Sequence, residues 1–355
     1  MIRLQIFIIL LALGLQSFAR DTVIKKITDD VITVTPGKKQ LQSLGWPNDM
    51  INSVAIKTTE GIVLINTQNS PANAHLIKNA VSEYFNDTVF TYIINNHGLS
   101  GHTGGNCVFT ESHIIAHTNS TTEIRDYDEL FLGQTVDFFR KKIAYNHNVL
   151  DTITVEGKMQ DSLNTAVDLY KYYENDLINN FKVRFADITF DHKYELTVGN
   201  KDFLLLYMGK GHSASDIVVY IKQEKILCIG NLFHLGAQTE ETMPSFYIHK
   251  VNEIDYWISS FTEILQNPDI DFNQVLTTHG KKPFARKNIE FINDYCIEVK
   301  KQVKHAKTNN LSIDDVKDIK KFDSVFQKYS GIIKPNKRVE EIHQHNINII
   351  WRHIE

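Results

Sequence analysis

Four histidines lie in loops that follow predicted β-strands, and each has a glycine beside it: His97, His102, His212 and His279. Loops at strand ends are where α/β folds place catalytic and binding groups. Neutral imidazole is the commonest metal ligand among side chains, and three imidazoles with one water make a zinc site that lowers the pKa of the water. A single histidine of this kind is ordinary, but four at equivalent positions indicate a functional site.

The elements that position these histidines follow from the hydrophobic pattern. Short apolar runs between turn residues predict strands at 31–35, 53–57, 62–65, 89–94, 186–190, 194–198, 203–207, 217–221, 226–229 and 274–278. Apolar residues at three-to-four spacing predict helices, the main ones at 72–85, 254–265 and 288–307. We interpret the mostly helical stretch from about 121 to 185 as an insertion over the sheet. The alternation of strands and helices predicts an α/β fold.

The composition favours a globular protein with a core of its own. Of 355 residues, 42% are hydrophobic and 23% are charged, and the net charge is -4 with no long basic block. Nucleic acid is not expected as a partner, because the chain has no row of cations to neutralise phosphates. Cys107, Cys228 and Cys296 are too few and too far apart for a disulfide framework. The hydrophobic core must therefore hold the fold.

The segment 1–19 has the pattern of a secretory signal peptide. Arg3 precedes the apolar run 6–15, and Ser17-Phe18-Ala19 supplies small residues for cleavage. This run of about ten residues is short for a bilayer, which takes roughly 20 helical residues to cross; an uncleaved anchor is the alternative. The sequence therefore predicts an exported protein, periplasmic or secreted, with no membrane span after cleavage.

The histidine pattern resembles that of the metallo-β-lactamase superfamily over roughly residues 27–282. The superfamily's first metal motif, His-x-His-x-Asp-His, matches the segment from His97 to His102, and Thr-Gly-Gly follows it. The remaining motifs occur in the family's order, as Gly211-His212-Ser213, Gly230-Asn231 and His279-Gly280. The resemblance implies a metal site at one edge of two sheets, with His97, His102, His212 and His279 as the expected ligands.

The resemblance also implies the architecture of the chain. The family fold is a four-layer αβ/βα sandwich of two similar halves. After the signal peptide predicted at 1–19, it implies a metallo-β-lactamase-like domain at 20–282, followed by a helical C-terminal extension at 283–355. The helical insertion at about 121–185 belongs to the middle segment.

Three ligand positions of the family carry residues that cannot serve as the family's ligands do. Leu99 replaces the middle histidine, Gly101 replaces the aspartate, and Asn231 replaces the bridging aspartate. Two Zn²⁺ ions ~4 Å apart repel by roughly 16 kcal/mol at an effective dielectric constant of ~20, and carboxylates would offset much of this repulsion. Without them we expect at most one zinc ion. His234, shortly after Asn231, is a further candidate ligand.

Two functions of different kinds are consistent with this pattern. The first is an exported protein of hydrolase ancestry whose dinuclear metal centre has eroded. It would be an inactive or weakly active pseudoenzyme that binds a small molecule in the remaining cleft. The alternative is an active hydrolase of esters, lactones or amides, in which three of the four histidines hold one zinc ion. Asn231 would then orient the water or the substrate carbonyl.

Overall fold

The computed structural model describes the chain in several stretches: residues 22–37, 51–152, 157–209, 211–232, 243–244, 246, 253–280 and 282–354. The predicted signal peptide lies outside the described residues.

The chain divides into two compact units, each built from separate stretches of sequence. The first takes the chain up to Asn95 together with Leu99–Ile115 and Thr121–Asp187, and the second takes Asn96–Gly98, Ala116–Ser120 and the chain from Ile188 onward. The motif that begins at His97 is therefore shared between them, since His97 belongs to the second unit and His102 to the first.

The strands of the first unit pair in chain order. They are β1 (Thr22–Lys26), β2 (Val31–Pro36), β3 (Ser53–Thr58), β4 (Gly61–Ile65), β5 (Phe90–Ile94) and β6 (His113–His117), of which the last two residues belong to the second unit. Neighbours from β1 to β4 are antiparallel, whereas β4, β5 and β6 run parallel. Every residue of β2 and β4 is buried. The runs rich in β-branched residues that predict these two strands are thus core segments.

Helix α1 (Pro71–Phe85) packs on this sheet. Its N-terminus is capped by the Ser70 hydroxyl, which accepts a hydrogen bond from the backbone N–H of Asn73. Its C-terminus ends at Asn86, which adopts the left-handed conformation. Ile77 and Val81 share a core cluster with residues of the strands, so the apolar stripe of α1 covers the sheet.

The stretch at about 121–185 is helical, as predicted. After the short α2 (Ser100–Thr103), it contains α3 (Ser120–Asp126), a π-helical turn at Tyr127–Phe131, α4 (Leu132–Thr152) and α5 (Lys158–Asn179). α4 and α5 pack on each other through a separate cluster that includes Phe139, Tyr170 and Leu177. The Asp176 carboxylate accepts a hydrogen bond from Ala72 N at 2.9 Å, which fastens α5 to the first turn of α1.

The second unit contains a mixed sheet. After β7 (Ile188–Phe190), its strands are β8 (Lys193–Val198), β9 (Lys201–Tyr207), β10 (Ile217–Ile221), β11 (Ile226–Cys228), β12 (Gln274–Leu276) and β13 (Phe284–Ala285). Their order is β13-β12-β11-β10-β9-β8, with the pair β11 and β12 parallel and the others antiparallel.

Helices of the second unit share one core with this sheet. They are α6 (Glu253–Gln266), α7 (Arg286–Thr308), α8 (Ile313–Lys317), α9 (Asp323–Lys328) and α10 (Lys337–His353), with a 3₁₀ turn at Ile319–Phe322. The cluster joins Val218 on β10 to Phe291 on α7 and Ile350 on α10. The α/β class with two sheets and a helical C-terminal extension is therefore confirmed. No helix in the described stretches is long and apolar enough to cross a bilayer.

Candidate functional site

His97 is held by the backbone on both sides of it. Asn96 O accepts from Ile217 N at 2.8 Å, and the Asn96 amide donates to Ile217 O at 3.0 Å. Gly98 N donates to the Ser215 hydroxyl at 2.9 Å. His97 itself is buried, with 1% of its surface exposed. The segment that follows β5 is thus fixed against the start of β10.

The loop that carries His212 is organised by a carboxylate from the loop itself. One oxygen of Asp216 accepts from the backbone N–H groups of His212 and Ser213, and the other accepts from the Ser213 hydroxyl at 2.9 Å. The Trp257 indole on α6 donates to Gly211 O at 2.9 Å. Asp216 is not among the site residues predicted from the sequence. It could have been noticed, because it ends the Gly-His-Ser-Ala-Ser-Asp segment that contains His212.

The rings of His97 and His212 lie side by side. Their centroids are 5.4 Å apart and their planes meet at 43°. His212 is exposed, whereas His97 is buried. Two imidazoles on one tetrahedral zinc, with bonds of ~2.0 to 2.1 Å, would have ring centres roughly 5 Å apart. The separation of this pair is therefore one that two ligands of a single ion would have.

Asn231 is tied to the neighbouring strand end. The Thr278 hydroxyl donates a hydrogen bond to Asn231 Oδ1, and Thr278 N donates to Gly230 O at 3.3 Å. Gly230 has φ +58°, and a Cβ there would lie 2.8 Å from the Cβ of Asn96. The segments at 230–231 and 96–98 therefore touch. His279 follows Thr278 and is half-buried.

His102 lies in the first unit on α2. It is buried, with 1% exposed, and its carbonyl accepts from Thr67 N at 2.8 Å and from the Thr67 hydroxyl at 3.0 Å. A Cβ at Gly105 would lie 2.2 Å from Thr67 O, so close packing requires glycine at the end of the Thr-Gly-Gly run. Leu99, in place of a family histidine, is 38% exposed.

His117 has a structural environment within the second unit. Its ring stacks on Tyr207 with centroids 3.7 Å apart. One ring nitrogen lies 3.0 Å from Asp191 O, and the other accepts from Asn119 N at 3.1 Å. Both nitrogens thus take part in holding the end of β6, as expected for a histidine that positions other groups.

The described residues bring part of the expected ligand set together. Among them there is no group of three or more His, Cys, Asp or Glu side chains arranged to hold a metal ion, whereas a catalytic zinc has three protein ligands. The structure brings His97 and His212 together and places His279 in the same unit. The four-histidine ligand set stays a prediction. His234 lies outside the described residues.

The fold can be compared with solved structures. No protein-family model matches the chain. A metallo-β-lactamase family protein from Thermus thermophilus is similar with a TM-score of 0.50 and 14% identity, over 78% of this chain and 83% of that one. The stereoselective inverting sec-alkylsulfatase Pisa1 from Pseudomonas sp. is similar with a TM-score of 0.57 and 12% identity, over 93% of this chain.

The alignment with the sulfatase covers 49% of the sulfatase chain, so this protein spans about half the length of that enzyme. At these identities the comparisons establish the fold and leave the chemistry to the site. The chain therefore has the metallo-β-lactamase fold.

Proposed function

We propose that this protein is a metallo-β-lactamase-fold protein of hydrolase ancestry whose dinuclear metal centre has eroded, and that it binds a small molecule with little or no turnover. The observation that carries this proposal is the donor set. Leu99, Gly101 and Asn231 occupy positions at which the family has metal ligands, and the pair of histidines that the described residues bring together is His97 with His212.

The hydrogen bonds of Asp216 and the neutral side chain of Asn231 support the same proposal. Asp216 is the carboxylate closest in sequence to His212, and both of its oxygens accept hydrogen bonds from the loop. Asn231 is neutral, and its Oδ1 accepts from Thr278. A second zinc ion needs negative charge to offset its repulsion from the first, and the neutral Asn231 amide supplies none.

The spacing of His97 and His212 favours one alternative, a mononuclear zinc hydrolase of ester, lactone or amide substrates. A bound zinc would supply a water of lowered pKa at neutral pH. In that case His279, which lies in the same unit as His97 and His212, is the candidate third ligand. Asn231, whose Oδ1 is already an acceptor for Thr278, retains its amide N–H groups to hold a substrate carbonyl.

Turnover distinguishes the two functions. We would assay a nitrophenyl ester, a lactone and an anilide with the protein of residues 20–355, both zinc-depleted and zinc-supplemented. The proposal predicts no zinc-dependent rate above that of His212→Ala. His147→Ala is the matched control, because His147 is also exposed but lies on α4. Zinc-stimulated hydrolysis that His212→Ala abolishes and His147→Ala retains would establish the alternative.

Ligand binding is tested on the same residues. Imidazole resonances of His97 and His212 would be followed by NMR as short-chain esters and lactones are added as probes. We expect shifts at His212 that saturate with probe concentration, and no shift at His147. Equal shifts at His212 and His147 would contradict a binding pocket at His212. The absence of a shift at His212 with every probe would contradict it as well.

We also propose that the protein is exported after cleavage behind Ala19. The support is the charge and apolar pattern of residues 1–19. Mass spectrometry of the protein from the culture medium and from the periplasmic fraction tests this proposal. A chain beginning at Arg20 is expected, and a full-length chain recovered from the cytosol alone would contradict export.

A further inference from the structure

A groove of about 570 Å³ lies between α6 and α7 in the second unit. Its lining residues come from one face of each helix: Asp255 and Ile258 on α6, and Ile297, Lys300, Lys301, Lys304, His305 and Thr308 on α7, with Asn309 at the helix end. The residues of α7 recur at three-to-four spacing, which places them on a single stripe. Pockets for small molecules have volumes of roughly 300 to 1,000 Å³, so the groove has the size of a ligand site.

Two of the lining side chains are isoleucines. Ile258 packs against the core cluster of the second unit, and Ile297 is 43% exposed. Because both line the groove, a bound alkyl chain would lie against apolar surface and remove it from water. The groove is therefore suited to a ligand with a hydrocarbon part.

The other lining groups carry an excess of positive charge. Three lysines line the groove against one aspartate. Lys300 pairs with Asp255, and Lys301 pairs with Glu298 at 3.1 Å. Lys304 is exposed and forms no ion pair with any of the described residues. A bound anion would thus find an ammonium group that has no carboxylate partner in the described structure.

We propose that this groove binds an amphipathic monoanion, an aliphatic carboxylate whose chain lies over Ile258 and Ile297 and whose head group meets Lys304. From Ile297 to Lys304 is seven residues, a rise of about 10 Å along α7. A chain of about eight to ten carbons covers that distance. The volume of about 570 Å³ matches that of small-molecule pockets, so we argue for a small molecule.

Calorimetric titration with decanoate tests the proposal, with decyltrimethylammonium as the probe of equal chain length and opposite charge. We expect one decanoate per chain and at least tenfold weaker binding of the cation. Lys304→Glu should weaken decanoate about fivefold or more, since an attraction becomes a repulsion at an exposed site. Ile297→Ser should weaken both probes. Lys287→Glu is the matched control, an exposed lysine in the first turn of α7, and should bind decanoate as the parent does.

Raising the salt concentration should weaken the binding of decanoate, because salt screens the lysine charges. The affinity for decyltrimethylammonium should stay the same or increase. Four results would overturn the proposal: no saturable binding of decanoate, equal binding of both probes, unchanged affinity in Lys304→Glu, or binding to anionic phosphatidylglycerol vesicles without binding of free decanoate. All variants change exposed side chains, so a melting temperature equal to the parent's confirms that each is folded.

Discussion

His343 makes the stability of the second unit depend on pH. The side chain lies on α10, fully buried, with Nδ1 2.9 Å from the Tyr295 hydroxyl and its ring 4.4 Å from that of Phe322. Asn346 donates to the same hydroxyl at 3.3 Å. The hydroxyl therefore donates to His343, and a protonated Nδ1 would deprive it of that acceptor. Burial lowers the pKa of His343 to about 4.

The sign and size of the effect follow from linkage. Unfolded, the imidazole has a pKa of about 6.5. As pH falls below about 6.5 the unfolded chain takes up a proton that the folded chain refuses until about pH 4. The stabilisation is therefore fully present above pH 6.5 and is lost towards pH 4. A difference of about 2.5 pKa units corresponds to about 3 kcal/mol of unfolding free energy.

The assay is urea unfolding of the parent and of His343→Gln at intervals between pH 7 and pH 4. His343→Gln is expected to be less stable at pH 7, because the packing against Phe322 changes. The difference between parent and variant should then shrink by about 3 kcal/mol on acidification. His147→Gln, at an exposed site, should follow the parent throughout. If the unfolding free energies of the parent and of His343→Gln change with pH in parallel, the reasoning is refuted, because the buried ring would then contribute no linked proton.

Three further predictions follow from buried groups. Asp176→Ala leaves Ala72 N without its acceptor and should lower the free energy of unfolding by about 1 to 3 kcal/mol. Asp176→Asn should lower the free energy of unfolding by less. Equal losses in the two variants would contradict the capping role. Ser215→Ala removes the acceptor of Gly98 N and should speed exchange of that amide hydrogen about tenfold, an effect absent if the segment is held by other contacts. The Cys228 thiol, whose pKa burial raises, should react with an aromatic disulfide reagent only on unfolding.

The fold was predictable because its signals are local. Short runs rich in β-branched residues, such as those of β2 and β4, mark buried strands, and the three-to-four spacing in α1 marks a helix that covers them. The helical character of the insertion follows from the same periodicity. Ser70 and Pro71 at the start of α1 are likewise readable in sequence, since capping depends on adjacent residues.

The details of the site depend on contacts between distant residues, which periodicity does not encode. Asp216 shows the difference: its position after His212 is visible in the sequence, but its hydrogen bonds to the loop backbone arise only when the loop turns. The bond from Thr278 to Asn231 joins residues 47 apart and depends on the parallel pairing of β11 and β12. Sequence could therefore identify the histidine positions and could not say which oxygens remain free for a metal.

Zinc stoichiometry tests the central claim most directly. The protein of residues 20–355 would be saturated with zinc, dialysed against zinc-free buffer and analysed by inductively coupled plasma mass spectrometry, alongside His212→Ala and His147→Ala. An eroded centre predicts well under one zinc per chain in all three proteins. One retained zinc that His212→Ala loses and His147→Ala keeps would contradict the eroded centre, and two retained ions would contradict the charge argument as well.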